Sequence, residues 1–187
     1  QAPGSYDLAV SGSTVFLAAG TSGLQVVDVS NPSQPAVIGS WTNSLGTQAY
    51  GVAAAGSLVY LAYNGGGLNV LDVSNPSAPA LIGSLGIPTR VLTLSGSTVY
   101  LQNGYRVVVV DVTNPTSPQE VGSLLLSSLP LSMVASGTHL YVSTEHAGLQ
   151  VLDVSNPASP SLIGQLPPTD GQVYGSNVAI SGGQLYL

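Results

Sequence analysis

The 187-residue chain contains no cysteine and no lysine, and Asp, Glu, Lys and Arg together make up only 5% of it. Arg90 and Arg106 are its only strong cations, and the formal net charge is −6. Nucleic acid binding needs clustered Lys or Arg side chains against the phosphates, so we expect no nucleic acid partner. The lack of cysteine excludes disulfides but leaves the compartment undecided.

Long apolar runs and helical patterns are missing as well. No apolar run reaches the ~18 residues of a transmembrane helix, so we predict no transmembrane segment. Apolar residues spaced for a helix never extend beyond one turn, and glycine or proline interrupts every stretch of about ten residues. The sequence therefore predicts an all-β protein.

A copied phrase dominates what the chain does contain. The phrase LQVVDVSNP occupies residues 24–32, and it recurs as LNVLDVSNP, VVVVDVTNP and LQVLDVSNP at residues 68–76, 107–115 and 149–157. Its aspartates are spaced 44, 39 and 42 residues apart. A small residue followed by glycine also precedes an apolar strand five times, at Gly12, Gly56, Gly96, Gly137 and Gly182. A period near 40 residues with several strands per repeat is typical of a propeller or a related array.

One repeat predicts four short strands joined by tight turns. In the second repeat, Gly56-Ser57 and the glycines 65–67 supply turn residues that tolerate positive φ. Pro76 ends the third strand because it removes a backbone donor. Four strands in a meander make one propeller blade. A β-sandwich would carry no four-fold copied phrase, and the coils of a parallel β-helix are usually shorter, so we favour the propeller.

This pattern assigns the whole chain, residues 1–187, to a single β-propeller of four-stranded antiparallel blades. The predicted blades span residues 6–41, 50–85, 90–126 and 131–166, followed by a partial fifth blade at 174–187. Because this fifth blade would have only two strands, its apolar edge would stay unpaired, which natural proteins avoid. We expect either that the missing blades belong to a longer chain and a larger ring, or that a partner copy completes the ring.

The phrase Val-Val-Asp-Val-Ser-Asn-Pro, followed by a proline-led strand, resembles the LVIVD-repeat propellers of bacterial and archaeal surface or secreted proteins. The four copies span residues 24–160, which is nearly the whole chain. The third copy departs most, because it lacks Gly-Leu before its third strand and has Thr113 where the others have serine. The resemblance implies a fold and a compartment, but no reaction.

The four repeated aspartates suggest calcium or acid catalysis at first sight, but we interpret them as structural. Each comes at the end of a strand, where its carboxylate can accept backbone N–H bonds in the Asn-Pro turn. A calcium loop needs more oxygen ligands within a dozen residues than this phrase provides. We therefore predict no metal and no cofactor, and assign a structural role to Asp28, Asp72, Asp111 and Asp153.

Residues that differ between blades are better candidates for function, because propeller function resides in loops. The first strands begin with different residues, and these should surround one mouth of a central channel. The candidates of this mouth are Tyr6, Asp7, Tyr50, Arg90 and Asn177. Aromatic rings, one cation and hydrogen-bonding groups suit a small sugar or peptide ligand, although a water-filled shaft without a ligand would use the same positions.

The loop between the second and third strands of the fourth blade differs from the others, since it contains Glu145 and His146. We expect both to face the same mouth as Arg90. Two such residues could hold a proton or part of a metal site, but two ligands do not make a metal site. An exposed polar loop is the simpler interpretation. No motif of a serine hydrolase, zinc protease or phosphate-binding loop occurs, so we assign no catalytic residue and favour a protein that is not an enzyme.

Two functions of different classes fit these observations. The first is an extracellular structural or interaction protein, a rigid propeller that presents surfaces to protein partners or assembles at the cell surface. The second is a small-ligand binding module or hydrolase at the channel mouth. The low charge places the protein outside the cytoplasm under both, and the residues 1–4 resemble a mature terminus after signal-peptide removal.

Overall fold

The computed structural model describes residues 6–168 and 177–186, and every regular element in these ranges is a β-strand. The chain forms two compact units. One unit holds the described residues up to Arg90 together with Asn114–Pro118, and the other holds Val91–Thr113 and the described residues from Gln119 onward.

The first unit contains two four-stranded antiparallel sheets, which are the first two blades. The strands of blade 1 follow chain order and are β1 (Asp7–Ser11), β2 (Thr14–Ala18), β3 (Leu24–Asp28) and β4 (Ala36–Trp41). Those of blade 2 do the same and are β5 (Gln48–Ala55), β6 (Leu58–Asn64), β7 (Gly67–Asp72) and β8 (Ala80–Leu85).

The second unit contains two further sheets of the same order and one sheet of two strands. Blade 3 consists of β9 (Leu92–Ser95), β10 (Thr98–Asn103), β11 (Arg106–Asp111) and β12 (Gln119–Leu125). Blade 4 consists of β13 (Pro130–Ser136), β14 (His139–Thr144), β15 (Gly148–Asp153) and β16 (Ser161–Leu166). The partial blade 5 pairs β17 (Ala179–Ser181) with β18 (Gln184–Tyr186); the predicted start of this blade, residues 174–176, and its last residue, Leu187, lie outside the described residues.

The third strand is deeply buried in all four complete blades. Leu24, Val26, Leu68 and Val70 have no exposed surface, and the whole run Val107–Val110 is also fully buried. In blades 2, 3 and 4 both faces of this strand are covered, and even the polar Asn69 and Gln150 are buried in it. The first unit packs Leu24 and Val26 with Phe16, Val59 and Leu61, and the second unit packs its own cluster around Leu140 and Leu152.

The outer strand of each blade has a bulge at the same repeat position. The register with the third strand skips one residue next to a glycine: Val26 pairs with Gly39, whereas Val27 pairs with Val37. Blades 2, 3 and 4 have the same shift beside the glycines Gly83, Gly122 and Gly164.

Three of these four glycines touch the backbone of an Asn-Pro turn from the following blade. A Cβ atom built on Gly39 would lie 2.0 Å from the Pro76 carbonyl oxygen, and one on Gly83 would lie 2.1 Å from that of Pro115. In the second unit, a Cβ on Gly122 would lie 2.2 Å from the Pro157 carbonyl oxygen. Any side chain at these positions would collide with backbone, so successive blades dock through glycine. This contact also explains why Asn114–Pro118 belongs to the first unit.

Candidate functional site

The repeated aspartates cap the turns that follow the third strands. The Oδ1 atom of each accepts a 2.8 Å hydrogen bond from the backbone N–H two residues later, at Ser30, Ser74, Thr113 and Ser155. These bonds lower the pKa of all four carboxyls below the usual value of 3.8. The largest cause is the backbone N–H of the following serine for Asp28, Asp72 and Asp153, and the Thr113 hydroxyl for Asp111.

The asparagine of each copied phrase makes a second cap of the same kind. The Asn31 Oδ1 atom accepts bonds from the Ser33 amide at 3.2 Å and the Ser33 hydroxyl at 2.8 Å. The equivalent asparagines Asn75, Asn114 and Asn156 also accept a bond from the backbone N–H two residues later. Because every blade uses its Asp and Asn for the turn itself, these groups belong to the scaffold.

These caps predict a loss of stability in acid. A carboxyl whose folded-state pKa is lowered contributes stability above its unfolded pKa, and the contribution is lost as pH falls through the folded pKa. We therefore expect the urea midpoint to fall between about pH 5 and pH 2. Asp72→Asn should have a lower midpoint than the wild type at neutral pH, and this difference should shrink in acid, as measured by circular dichroism. A wild-type midpoint that stays constant down to about pH 2 would contradict the capping role of these aspartates.

Three of the predicted mouth residues lie together in the first unit. The Tyr6 and Tyr50 rings are 4.6 Å apart between centroids and are inclined at 42°. The guanidinium carbon of Arg90 lies 4.9 Å from the centroid of the Tyr50 ring, which is a cation–π distance. Tyr50 has no pairing partner in β6, because Ala49 pairs with Tyr63 and Gly51 pairs with Ala62. Tyr50 therefore sits in a β-bulge, which changes the direction of its side chain. We refer to Tyr6, Tyr50 and Arg90 as the tyrosine–arginine cluster.

The cluster is open to solvent to different degrees. Tyr6 is 55% exposed, Arg90 is exposed, and Tyr50 is half-buried with its hydroxyl hydrogen-bonded to the Gln48 side chain. Among the residues that the structure describes, no carboxylate lies within ion-pair distance of Arg90. The other arginine is different, because Arg106 bonds the Glu120 carboxylate at 2.7 Å and the Ser123 hydroxyl at 2.6 Å.

Asp7 has a structural role that its sequence position did not reveal. Its Oδ1 atom accepts the Leu8 N–H at 2.8 Å, and its Oδ2 atom accepts the Val52 N–H of blade 2 at 2.9 Å. Desolvation by the surrounding atoms raises the pKa of this carboxyl, and the Val52 and Leu8 amides oppose the rise. Solvent reaches more than a third of the residue, so this rise is moderated. Both oxygens of Asp7 thus accept bonds from backbone amides, and its role in ligand binding stays a prediction.

The second unit has a bond of the same kind, which sequence reasoning missed. The Ser132 hydroxyl accepts the Val178 N–H at 3.1 Å, and Ser132 and Val178 stand at the same repeat positions as Asp7 and Val52. The sequence contained a signal for these two bonds, because Asp7 and Ser132 are polar at a repeat position where the third blade has Val91. Asn177, one residue before Val178, is exposed.

The predicted pair Glu145 and His146 lies in the hairpin between β14 and β15 of the second unit. A carboxylate oxygen of Glu145 and the Nε2 atom of His146 are 3.6 Å apart, with 42% and 75% of the two side chains exposed. A hydrogen bond from the loop backbone anchors this hairpin, since the His146 N–H donates to the Ser128 hydroxyl at 2.8 Å. Within the described ranges, no group of three or more His, Cys, Asp and Glu side chains could hold a metal ion.

Comparison with solved structures establishes the class of protein. The designed protein Ika8 superposes with a TM-score of 0.71 at 13% identity, with 97% of this chain and 54% of that chain covered. The designed protein Ika4 gives 0.65 at 14% identity, covering 83% and 94%. The β-propeller domain of Myceliophteria thermophila Cps50 (Swd1) gives 0.68 at 13% identity, covering 87% and 58%. The chain thus spans just over half the length of Ika8 and Cps50, and these likenesses concern the fold alone.

These blades and likenesses define a β-propeller, which confirms the predicted fold class. The LVIVD repeat matches residues 4–43, 46–86, 89–125 and 131–166. The chain belongs to the LVIVD-repeat family, as the copied phrase indicated. No curated protein sequence matches it. Across residues 6–168 and 177–186, no helix has the length and hydrophobicity that a membrane crossing requires.

Proposed function

We propose that this propeller is an extracellular scaffold that binds protein partners through the exposed apolar side chains of β1, the first strand of blade 1. One observation carries the proposal: Leu8 in β1 is 57% exposed, whereas the residues at the same repeat position are 5%, 8%, 6% and 9% exposed in Val52, Leu92, Met133 and Val178. A leucine at a position that is buried in every other blade indicates a surface built to be covered.

The residues around Leu8 extend this surface. Val10, on the same face of β1, is 60% exposed, and Tyr6 is 55% exposed. In contrast, Val52 packs in the core cluster of the first unit with Phe16 and Ala18 of blade 1. Large exposed apolar patches on soluble proteins mark interaction sites. We define Leu8 and Val10 as the open face. We expect another β-blade to pack against it, because a neighbouring blade packs against the equivalent residue of blade 2, Val52.

The composition supports a location outside the cytoplasm. Only 5% of the residues are charged and the net charge is −6, so solubility depends on Ser, Thr, Asn, Gln and Gly. Such a surface suits an extracellular protein, or one whose surface is largely buried in an assembly, where charged side chains would lose their hydration.

The open face predicts self-association that depends on Leu8. We expect the wild type to show a molar mass that rises with concentration in size-exclusion chromatography with light scattering. Leu8→Ser should weaken this association about tenfold to a hundredfold, because burying one leucine contributes about 1.5–3 kcal/mol. Val37→Ser is the matched control, since Val37 is 63% exposed on β4 of the same blade. A wild type that stays monomeric at high concentration, or a Val37→Ser variant as impaired as Leu8→Ser, would contradict the proposal.

A second candidate function is the binding of a small ligand at the tyrosine–arginine cluster. The observation that favours it is the assembly of two tyrosine rings and one arginine, from three successive repeats, on an exposed surface. Glu145, His146 and Asn177, which belong to the second unit, remain candidates from sequence.

A further inference from the structure

We propose that the tyrosine–arginine cluster binds a sugar that carries a carboxylate, with the carboxylate on Arg90 and the C–H face of the ring on Tyr6. This inference rests on the second candidate function and names its ligand class. Equal binding of a neutral sugar is the competing outcome of the test.

The carboxylate is inferred from the state of the two arginines. Both are partly exposed, yet Arg106 already has an acidic partner at 2.7 Å, and Arg90 has none within the described ranges. The Tyr50 ring holds Arg90 at 4.9 Å, which keeps the guanidinium in place without using its N–H donors on an anion. A guanidinium that stacks on a ring and has no carboxylate partner among the described residues can bind a ligand carboxylate with two parallel hydrogen bonds.

The sugar ring is inferred from the exposed tyrosine. Tyr6 packs against Tyr50 at 4.6 Å and still exposes 55% of its surface, so it offers a fixed aromatic face to solvent. The negative face of an aromatic ring attracts weakly positive C–H groups, and one side of a pyranose ring consists of such groups. Tyr6 and Arg90 lie 4.6 Å and 4.9 Å from the centroid of the Tyr50 ring, and a ligand that touches both must span from one to the other.

The charge balance argues against a phosphate ligand. Phosphate sites combine several donors or cations, whereas this site has one cation in a chain of net charge −6. A single carboxylate is the anion that one arginine neutralises.

The test compares two sugars that differ in one group. Methyl β-D-glucuronide and methyl β-D-glucoside should be titrated into the full chain and followed by NMR. We expect the wild type to bind the glucuronide about tenfold more tightly than the glucoside, because hydrogen bonds to a charged group contribute more than neutral ones. Arg90→Gln should remove this preference, and Tyr6→Ala should weaken both sugars.

The chain supplies matched controls for both variants. Arg106→Gln removes the paired arginine and should keep the preference, and Tyr105→Ala removes a tyrosine that is 53% exposed elsewhere and should change neither affinity. Equal affinity for the two sugars in the wild type would overturn the acidic ligand but keep the site. Binding of neither sugar at the resonances of Tyr6, Tyr50 and Arg90 would overturn the second candidate function as well. Retained chemical-shift dispersion in each variant shows that the fold is intact.

Discussion

Gly83→Ala should destabilise the protein by about 3 kcal/mol or more, although it adds a single methyl group. Its Cβ would lie 2.1 Å from the Pro115 carbonyl oxygen and 3.1 Å from the Thr116 backbone. Backbone cannot rotate away as a side chain can, so blade 2 and the Asn114–Pro118 turn would have to separate. Overpacking of a well-packed contact typically costs about 1–3 kcal/mol, and a collision of this depth exceeds the usual range.

Gly164 provides the control at the same repeat position. Among the described residues, a Cβ there would meet only Val151, at 3.6 and 3.8 Å, which is ordinary van der Waals contact. We expect Gly164→Ala to change stability by less than about 0.5 kcal/mol, or to stabilise slightly by restricting the unfolded chain. Urea unfolding followed by circular dichroism measures both. Similar losses in the two variants would refute the docking of successive blades through glycine.

The second large effect is expected at the core of the second unit. Leu140→Ala should cost about 3–4 kcal/mol, because Leu140 is fully buried among Tyr100, Val107 and Leu152 and its truncation leaves a cavity. Domains are stable by only about 5–15 kcal/mol, so this variant should unfold at a much lower urea concentration.

Leu125→Ala is the matched variant on the surface, since Leu125 is 72% exposed on β12. We expect it to stay within about 0.5 kcal/mol of the wild type in the same measurement. A Leu140→Ala variant as stable as Leu125→Ala would show that this core relaxes around the cavity.

The four-strand blade was predictable because its turns depend on residues that are close together in the sequence. Gly12 and its repeats adopt the positive φ that the first hairpin requires, at 59° in Gly12, and Asn-Pro ends each third strand. The turn capping by Asp72 and its equivalents also follows from local sequence, since donor and acceptor are two residues apart.

The contacts between blades could not be predicted in the same way, because they join residues more than 30 positions apart. The glycine in each outer strand was visible, and a glycine inside a strand indicates close backbone approach, but nothing local identified Pro115 as the partner of Gly83. Likewise, the sequence placed Tyr6, Tyr50 and Arg90 at one mouth, whereas the stacking of Arg90 on Tyr50 needed three-dimensional coordinates. The bond that Asp7 accepts from the Val52 N–H of the neighbouring blade is another contact that local sequence does not reveal.

The docking of each glycine on a proline carbonyl has an evolutionary consequence. The contact is made by backbone atoms, so it depends on one glycine in one repeat and one turn in the next, and on no matched pair of side chains. A gene segment encoding one repeat could therefore be duplicated, deleted or exchanged with its neighbour, and this backbone contact would form again at the new junction.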